Sequence, residues 1–299
     1  MPDLDNQYRS APRPGGGMYT LEVTGKGVAE VEAAHAAIPP GTPINIAFLG
    51  NEDHGRRVNA AQVIRACGFE PVPIISSRRL RSENDRDDFL GALIAEAAPT
   101  QIILVGGDPA APAGPYEDSL ALLKSGLLER HGIRRAGIVA YPEGHPKVDT
   151  DTLWRCLKWK VGYIQDAGCS VEITTQYGFD ADAVVRWIER LRDEDIDVPV
   201  RVGVPGPANA GKLLRYARQF GAVPPAAIAE RYGLPLDDPD RVVGPGRYWD
   251  QLAEGTEGGR LGTVLHHLYP FGGILEGARW MNSRLGDRNS APSALGVGR

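Results

Sequence analysis

The sequence predicts a single (β/α)8 barrel, and three observations predict it. Eight short β-type runs alternate with longer helical patterns along most of the chain. Several of those runs are nearly unbroken Val, Ile and Leu, as parallel strands covered by helices require. The 299 residues suggest about two domains by length. Yet no shift in composition divides them, and α/β barrels of ~250 residues form one domain. A doubly wound open sheet is the alternative with the same alternation.

The elements follow in order. Residues 1–17, MPDLDNQYRSAPRPGGG, lack the apolar core of a signal peptide and read as a flexible arm rich in Pro and Gly. The first strand is MYTLEV (18–23) and the second is INIAFLG (44–50). The helix over 55–67 places Val58, Ala61, Val63, Ile64 and Ala66 toward one side. PVPIIS (71–76) is the third strand, and the helix over 84–97 presents Phe89, Leu90, Leu93 and Ile94. QIILVGG (101–107) and RRAGIVAYP (134–142) are the fourth and fifth strands. DTDTLWRCLKWKVGYIQDAG continues as a helix into SVEITTQ (170–176), the sixth strand. DADAVVRWIERLRDE follows as a helix with Asp180 or Asp182 as its N-cap. PVRVGVP (199–205) is the seventh strand. Two extra helical stretches, 224–232 and 240–253, precede the eighth strand, GTVLHHLYPF (262–271). The barrel is thus expected over 18–283, with a loose tail over 284–299.

Composition narrows the function classes. The hydrophobic fraction of 42% and charged fraction of 24% are ordinary for a globular protein. Lys plus Arg total 33 against 38 Asp plus Glu, a net charge of −5, so a nucleic-acid partner is not expected. No run of ~18 apolar residues offers a membrane span. Cys67, Cys156 and Cys169 are odd in number and show no CxxC spacing, which reads as reduced cytoplasmic thiols.

In a barrel, the C-terminal strand ends build the active-site face, so their polar residues are the candidates. Glu22 lies between Leu21 and Val23; a carboxyl there is expected to be partly desolvated and so suited to general-acid work. Its plain alternative is an ion pair at the barrel mouth. Gly106-Gly107-Asp108 ends the fourth strand, either letting a ligand approach the backbone or forming a turn capped by Asp108. Tyr141 to Pro146 is a loop dense in functional types, and His145 in it could bond a ligand or serve the structure. Lys158 and Lys160 flank Trp159 on a helix; one could reach an anion, although most such lysines only solvate a helix face. The sixth strand ends in Thr174, Thr175, Gln176 and Tyr177, and the eighth in His267, Tyr269 and Phe271.

Two motifs are decoys. Gly206-Pro-Ala-Asn-Ala-Gly211-Lys212-Leu213 approximates a P-loop, but Leu213 replaces the Mg²⁺-binding hydroxyl and Pro207 lacks an N–H. His266 and His267 are adjacent and so face opposite ways on a strand, and no metal site is expected. No GxGxxG follows an early strand.

The ordered strand-end residues resemble the methylenetetrahydrofolate reductase family. The strongest segment is AYPEGHPKVDTDTLWRCLKWK followed by DAGCSVEITTQYGFD (140–180). It is similar to that family's YPE-x-HP loop, LKxK helix, DAG turn and ITQ-x-x-FD strand end. Asp108 in GGDP resembles the RGDPP loop, and Glu22 in LEVT the Glu of FEFFPP. The resemblance covers most of 18–283. It implies an oxidoreductase of one-carbon metabolism that interconverts 5,10-methylenetetrahydrofolate and 5-methyltetrahydrofolate with NAD(P)H, through bound FAD.

By the resemblance, Glu22 and Asp108 are catalytic, and Gln176, Asp108 and Tyr177 bind substrate. Val105, Gly106, Gly107, Tyr116, Ala140, Tyr141, His145, Lys160 and Tyr269 surround the cofactor. The partner is a small folate molecule, and self-association stays open, as do the choice of nucleotide and the direction that links the reaction to methionine biosynthesis. The departures cluster on the cofactor side. Gly106 stands where the family has Arg, Pro73-Ile74-Ile75 where it has PHL, and Ile46 to Asn51 where it has VTYGAN. An aromatic after the seventh strand falls near Ala210, FEFFPP has become LEVTGK, and Gly162 to Gln165 resembles an insertion of one helical turn. Direct hydride transfer without FAD, or a non-catalytic folate-binding subunit, are therefore the alternatives.

Overall fold

The computed structural model describes residues 19–50, 52–220, 235, 237–257 and 259–290. Eight strands form a closed parallel barrel, each paired with the next in the chain and the eighth with the first. They are β1 (Tyr19–Thr24), β2 (Pro43–Ala47), β3 (Glu70–Ser76), β4 (Ile102–Val105), β5 (Arg135–Ala140), β6 (Ser170–Tyr177), β7 (Val200–Pro205) and β8 (Val264–Tyr269). The eight expected strands are thus all present, with no end moved by more than three residues. The arm over 1–17, Met18, the helical stretch 224–232 and positions 291–299 of the tail lie outside the described residues.

Helices cover the barrel: α1 (Val28–Ala33), α2 (His54–Ala66), α3 (Glu83–Ala97), α4 (Ser119–Lys124), α5 (Leu127–Arg130), α6 (Thr150–Asp166), α7 (Ala181–Asp193), α8 (Ala210–Phe220), α9 (Gly246–Gly255) and α10 (Ile274–Ser290). The stretch expected over 240–253 is helical only from Gly246, since Val242–Val243 forms a short ribbon with Ala208–Asn209. The tail expected from 284 begins as helix, because α10 runs on to Ser290.

Aspartates start three of the long helices by accepting a backbone N–H that the first turn leaves unpaired. Asp53 caps α2, Asp149 caps α6 and Asp180 caps α7 through Ala183 N at 3.0 Å. Ser82 does the same for α3. The apolar faces that follow pack onto the strands: Leu21, Ile46, Ile75, Leu104, Ile138, Ile173, Val202 and Leu268 are buried in one core with Ile64, Phe89, Leu93, Leu157 and Ile188.

The period of two along each strand sends alternate residues into the barrel. On β1, Leu21 and Val23 join the outer core while Thr20 and Glu22 face inward. On β8, His266 turns outward against the Trp249 ring of α9, and His267 turns inward. The barrel floor is polar. Arg201 and Glu172 pair there at 2.8 Å, Gln101 reaches Glu172, and with Thr20 and Asn45 they line a cavity of about 30 Å³.

Candidate active site

At the opposite end, Glu22 projects into the barrel mouth with its side chain 26% exposed, open to a ligand yet flanked by protein. A β-bulge supplies its neighbours. The β6–β7 register shifts between Thr174 and Tyr177, and such bulges re-aim side chains at the rims of barrels. Gly203 makes it possible: a Cβ there would lie 2.7 Å from the backbone of Thr175 and Gln176. Its N–H donates to Thr175 Oγ1 at 2.8 Å. Beyond the bulge, the backbone N–H of Tyr177 donates to Gln176 Oε1, which leaves the amide nitrogen of Gln176 as its donor end.

Aromatic rings wall the mouth. Tyr177 packs edge-on against Tyr269 at 5.0 Å and Phe271 at 4.9 Å, and its hydroxyl donates to Tyr216 O. Tyr216 of α8 stacks flat on Phe271, with 4.3 Å between centroids. The Tyr269 hydroxyl donates to Thr175 O. Burial pushes the Tyr269 hydroxyl well above the usual range, and the nearby Glu22, Tyr141 and Tyr177 push the same way. Burial does the same to Tyr177, with Tyr216 and Glu22 adding to it. Glu22, Tyr141, Tyr177 and Tyr269 therefore share one electrostatic neighbourhood, with Gln176 beside it.

Asp108 sits on another part of the rim and is 78% exposed. The guanidinium of Arg79 pairs with it, Nε at 3.2 Å from Oδ1 and Nη2 closer still. Its loop is held from below. Ser77 Oγ donates to the carbonyls of Val105 and Gly106, and Arg78 N donates to Gly106 O. Gly107 has φ +98°, a conformation that favours glycine, and a Cβ there would strike Ser76 Oγ. Sequence reasoning noted the missing Arg at Gly106 but overlooked Arg79, which brings a cation to the same loop from the turn after β3. The Arg78-Arg79 pair after a strand end was the available signal. Tyr216 was also missed, since the search for an aromatic stopped near Ala210.

The remaining cofactor candidates divide. Ala140, Tyr141 and Lys160 line one cavity of about 100 Å³ between the end of β5 and α6, with Trp154 and Trp187. Burial lowers the Lys160 ammonium and raises the Tyr141 hydroxyl. Lys160 is thus the lysine that turns inward, while Lys158 pairs with Glu194 on the surface. His145 packs edge-on against Tyr141 at 4.8 Å and accepts from Lys147 N. Its burial, with Lys147 close by, lowers it below the usual imidazole range. Glu143 ties the β5 loop to the start of α7: its Oε1 accepts from Phe179 N at 2.6 Å and Asp180 N at 3.0 Å. Tyr116 stands apart from these residues: it is 4% exposed in the core, with Arg86 Nη1 donating to its hydroxyl at 2.7 Å.

Sites for drug-sized ligands occupy ~300–1,000 Å³. The cavity of about 100 Å³ is smaller than that, and of the residues expected around an FAD it brings together Ala140, Tyr141 and Lys160. The P-loop look-alike is excluded directly, since Ala210 N and Gly211 N donate to Arg241 O and Pro239 O rather than face a phosphate. Among the described residues no cluster of His, Cys, Asp and Glu could hold a metal ion, and no helix is long and apolar enough to cross a membrane.

The fold and its mouth define a (β/α)8 protein with an acidic residue set among aromatic rings at the barrel mouth. Residues 123–247, somewhat under half of the chain, match the model of the methylenetetrahydrofolate reductase family. Methylenetetrahydrofolate reductase 1 of Schizosaccharomyces pombe is 30% identical over 108 residues, which span 36% of this chain and 17% of that protein. A solved protein from Clostridium thermocellum that binds two copies of 5-methyl-5,6,7,8-tetrahydrofolic acid superposes with a TM-score of 0.62 at 12% identity, covering 91% of this chain and 96% of its own. Dihydropteroate synthase from Thermus thermophilus superposes with a TM-score of 0.51, also at 12% identity, covering 91% and 93%. At that identity both likenesses are likenesses of fold.

Proposed function

We propose that the protein interconverts 5,10-methylenetetrahydrofolate and 5-methyltetrahydrofolate, with hydride passing directly between NAD(P)H and the folate. The observation that carries this is Glu22, an inward carboxyl at the mouth beside Tyr177 and Tyr269. The match of residues 123–247 to the family model and the folate-binding neighbour of the same fold support it.

In the reducing direction, protonated Glu22 gives its proton to N10 of the folate. The N10–methylene bond breaks with its electron pair going to N10, which leaves an iminium at N5. Hydride from the nicotinamide adds to the methylene carbon, giving the 5-methyl group and NAD(P)⁺. The oxidising direction reverses each step, with Glu22 taking the proton back. Tyr216 and Phe271 give a flat apolar wall for a planar ring to stack on. The Gln176 amide nitrogen and the Asp108 carboxylate offer a donor and an acceptor to a pterin edge. A protein that holds the two rings in contact needs no intermediate carrier, since proximity supplies much of the rate.

A second reading, hydride relay through FAD, rests on Ala140, Tyr141 and Lys160 lining a common cavity. The two separate in one experiment. The purified chain is mixed with methylenetetrahydrofolate and NADH or NADPH, nicotinamide absorbance is followed, and the visible spectrum is recorded. Folate-dependent oxidation by a colourless protein is expected. Turnover that requires added FAD moves the reading to the relay, and no turnover in either direction with either nucleotide overturns it.

A further inference from the structure

The turn after β3 (Ser77–Arg79) and the loop after β4 are tied into one corner of the barrel mouth. Ser77 Oγ donates to Val105 O at 3.1 Å and Gly106 O at 3.0 Å, and Arg78 N donates to Gly106 O at 3.0 Å. Past Asp108, the Arg78 guanidinium donates to Pro109 O and Glu117 O, and Ala113 N returns a bond to Arg78 O. Asp108 lies between those ties and Arg79 follows Arg78 directly, so the backbone sets where carboxylate and guanidinium meet. They meet on one oxygen. Nε and Nη2 of Arg79 both donate to Asp108 Oδ1, and among the described residues no hydrogen bond falls on Oδ2. The pair is lopsided: the Arg79 side chain is 19% exposed and that of Asp108 78%. Gly50, in the loop after β2, makes room for the cation. A Cβ there would overlap Arg79 Nη1 and lie 2.7 Å from Cζ and Nη2. Its φ is outside the left-handed region, so what matters at Gly50 is the absent side chain. A second cation, Arg57, is near enough to feel the charge of Arg79, yet its own nitrogens turn to Leu49 O and Asp53 O.

We infer that Arg79 is a positioning residue for folate binding: seated under Gly50, it holds Oδ1 of Asp108 so that Oδ2 is the oxygen presented to an N–H edge of the pterin. The inference rests on the reading of the mouth as a folate site. An exposed carboxylate left to turn freely loses that freedom when it binds. A charge-assisted bond from two nitrogens of one guanidinium removes the freedom beforehand. The pair is also neutral as a whole. It suits the uncharged N–H groups of a pterin ring, while a cationic ligand drawn to Asp108 meets the charge of Arg79 behind it. Arg79 acts through Asp108 and does not touch the ligand.

The test is a double-mutant cycle on the full chain. The Kd for 5-methyltetrahydrofolate is measured by titration calorimetry, with kcat, folate KM and thermal melting alongside. Arg79→Ala is expected to raise Kd and KM by ~3–10-fold and to leave kcat within ~2-fold, the split that marks a binding role. Arg79→Ala combined with Asp108→Asn is expected to bind no worse than Asp108→Asn alone, because the cation works only through the carboxylate. Gly50→Ala keeps both charges. It is expected to match the Arg79→Ala loss by crowding the guanidinium off its seat, and to add nothing in the Arg79→Ala background. Arg79→Lys, with its compact ammonium, recovers part of the loss. Melting stays within about 2 °C throughout, as for an exposed pair. Unchanged Kd in Arg79→Ala or in Gly50→Ala overturns the inference. Losses that add in the Arg79→Ala/Asp108→Asn chain also overturn it, since they put Arg79 on the ligand itself. A wild type that binds no folate overturns the folate reading of the mouth and this inference with it. Folate binding that is indifferent to Arg79 overturns this inference alone.

Discussion

At the residue scale, Glu22 and Asp108 occupy different surroundings, and their substitutions should behave differently. Glu22→Gln keeps the shape and removes the transferable proton. It should lower folate turnover by ~10²–10⁴-fold while leaving folate affinity within a few-fold, measured by steady-state kinetics beside direct binding. Near-normal turnover would remove Glu22 from the acid role. Asp108 is exposed and paired with Arg79, and exposed pairs contribute ~0–1 kcal/mol to stability. Asp108→Asn should therefore barely move the melting temperature yet raise the folate KM several-fold. A melting loss with unchanged KM would make the pair structural. These two residues were legible because single carboxylates at strand ends are visible in sequence. Tyr116 was not: only packing reveals that its hydroxyl is taken by Arg86 from within α3.

At the element scale, the loops are stitched to their neighbours by side chains that look functional. Glu143 is the clearest case, since two backbone N–H groups at the start of α7 end on its carboxylate. Glu143→Ala should cost about 2 kcal/mol, the price of two unpaired donors, and lower the melting temperature by a few degrees. No change would mean that water replaces the carboxylate. The α2–α3 contact gives a pH signature. Burial alone would raise Asp85, but the side chain and backbone N–H of Arg81 and the ring of His54 outweigh it and hold the carboxyl at about 2. A carboxyl depressed in the fold stabilises above its unfolded value near ~4 and loses that contribution as pH falls toward 2. Thermal melting of Asp85→Asn should be flatter over that window than the wild type, and parallel curves would refute the linkage. Strand and helix identities were readable because each kept its period. Their ends were less so, since the bulge at Thr174 to Tyr177 and the ribbon of Ala208–Asn209 arise from pairing between distant segments.

At the scale of the whole molecule, the barrel is a polar column closed at one end by an ion pair and opened at the other by an acid. Arg201→Met would leave Glu172 buried at the floor with Gln101 as its contact. Removing one partner of such a pair costs ~3–5 kcal/mol, so the midpoint of chemical denaturation should fall steeply while residual folded protein keeps its folate affinity. An unchanged midpoint would mean that the floor tolerates the lone carboxylate. The barrel itself was legible from eight alternating runs. The arrangement of its interior was not, because nothing in the order of residues signals that Thr20, Glu22 and His267 meet across the seam where first and last strands join.

The cavity beside Lys160 brings with it a means of watching it. Trp154 of α6 and Trp187 of α7 both line that space, with their rings 5.6 Å apart, whereas Trp159 points outward and is 56% exposed. Of the five tryptophans, two therefore look onto this cavity, while Trp159 meets bulk solvent. Their emission is a built-in optical gauge. A ligand arriving there should quench the share of the blue, shielded fluorescence that comes from Trp154 and Trp187 and spare the red, exposed component, so occupancy is readable in the native chain without a label.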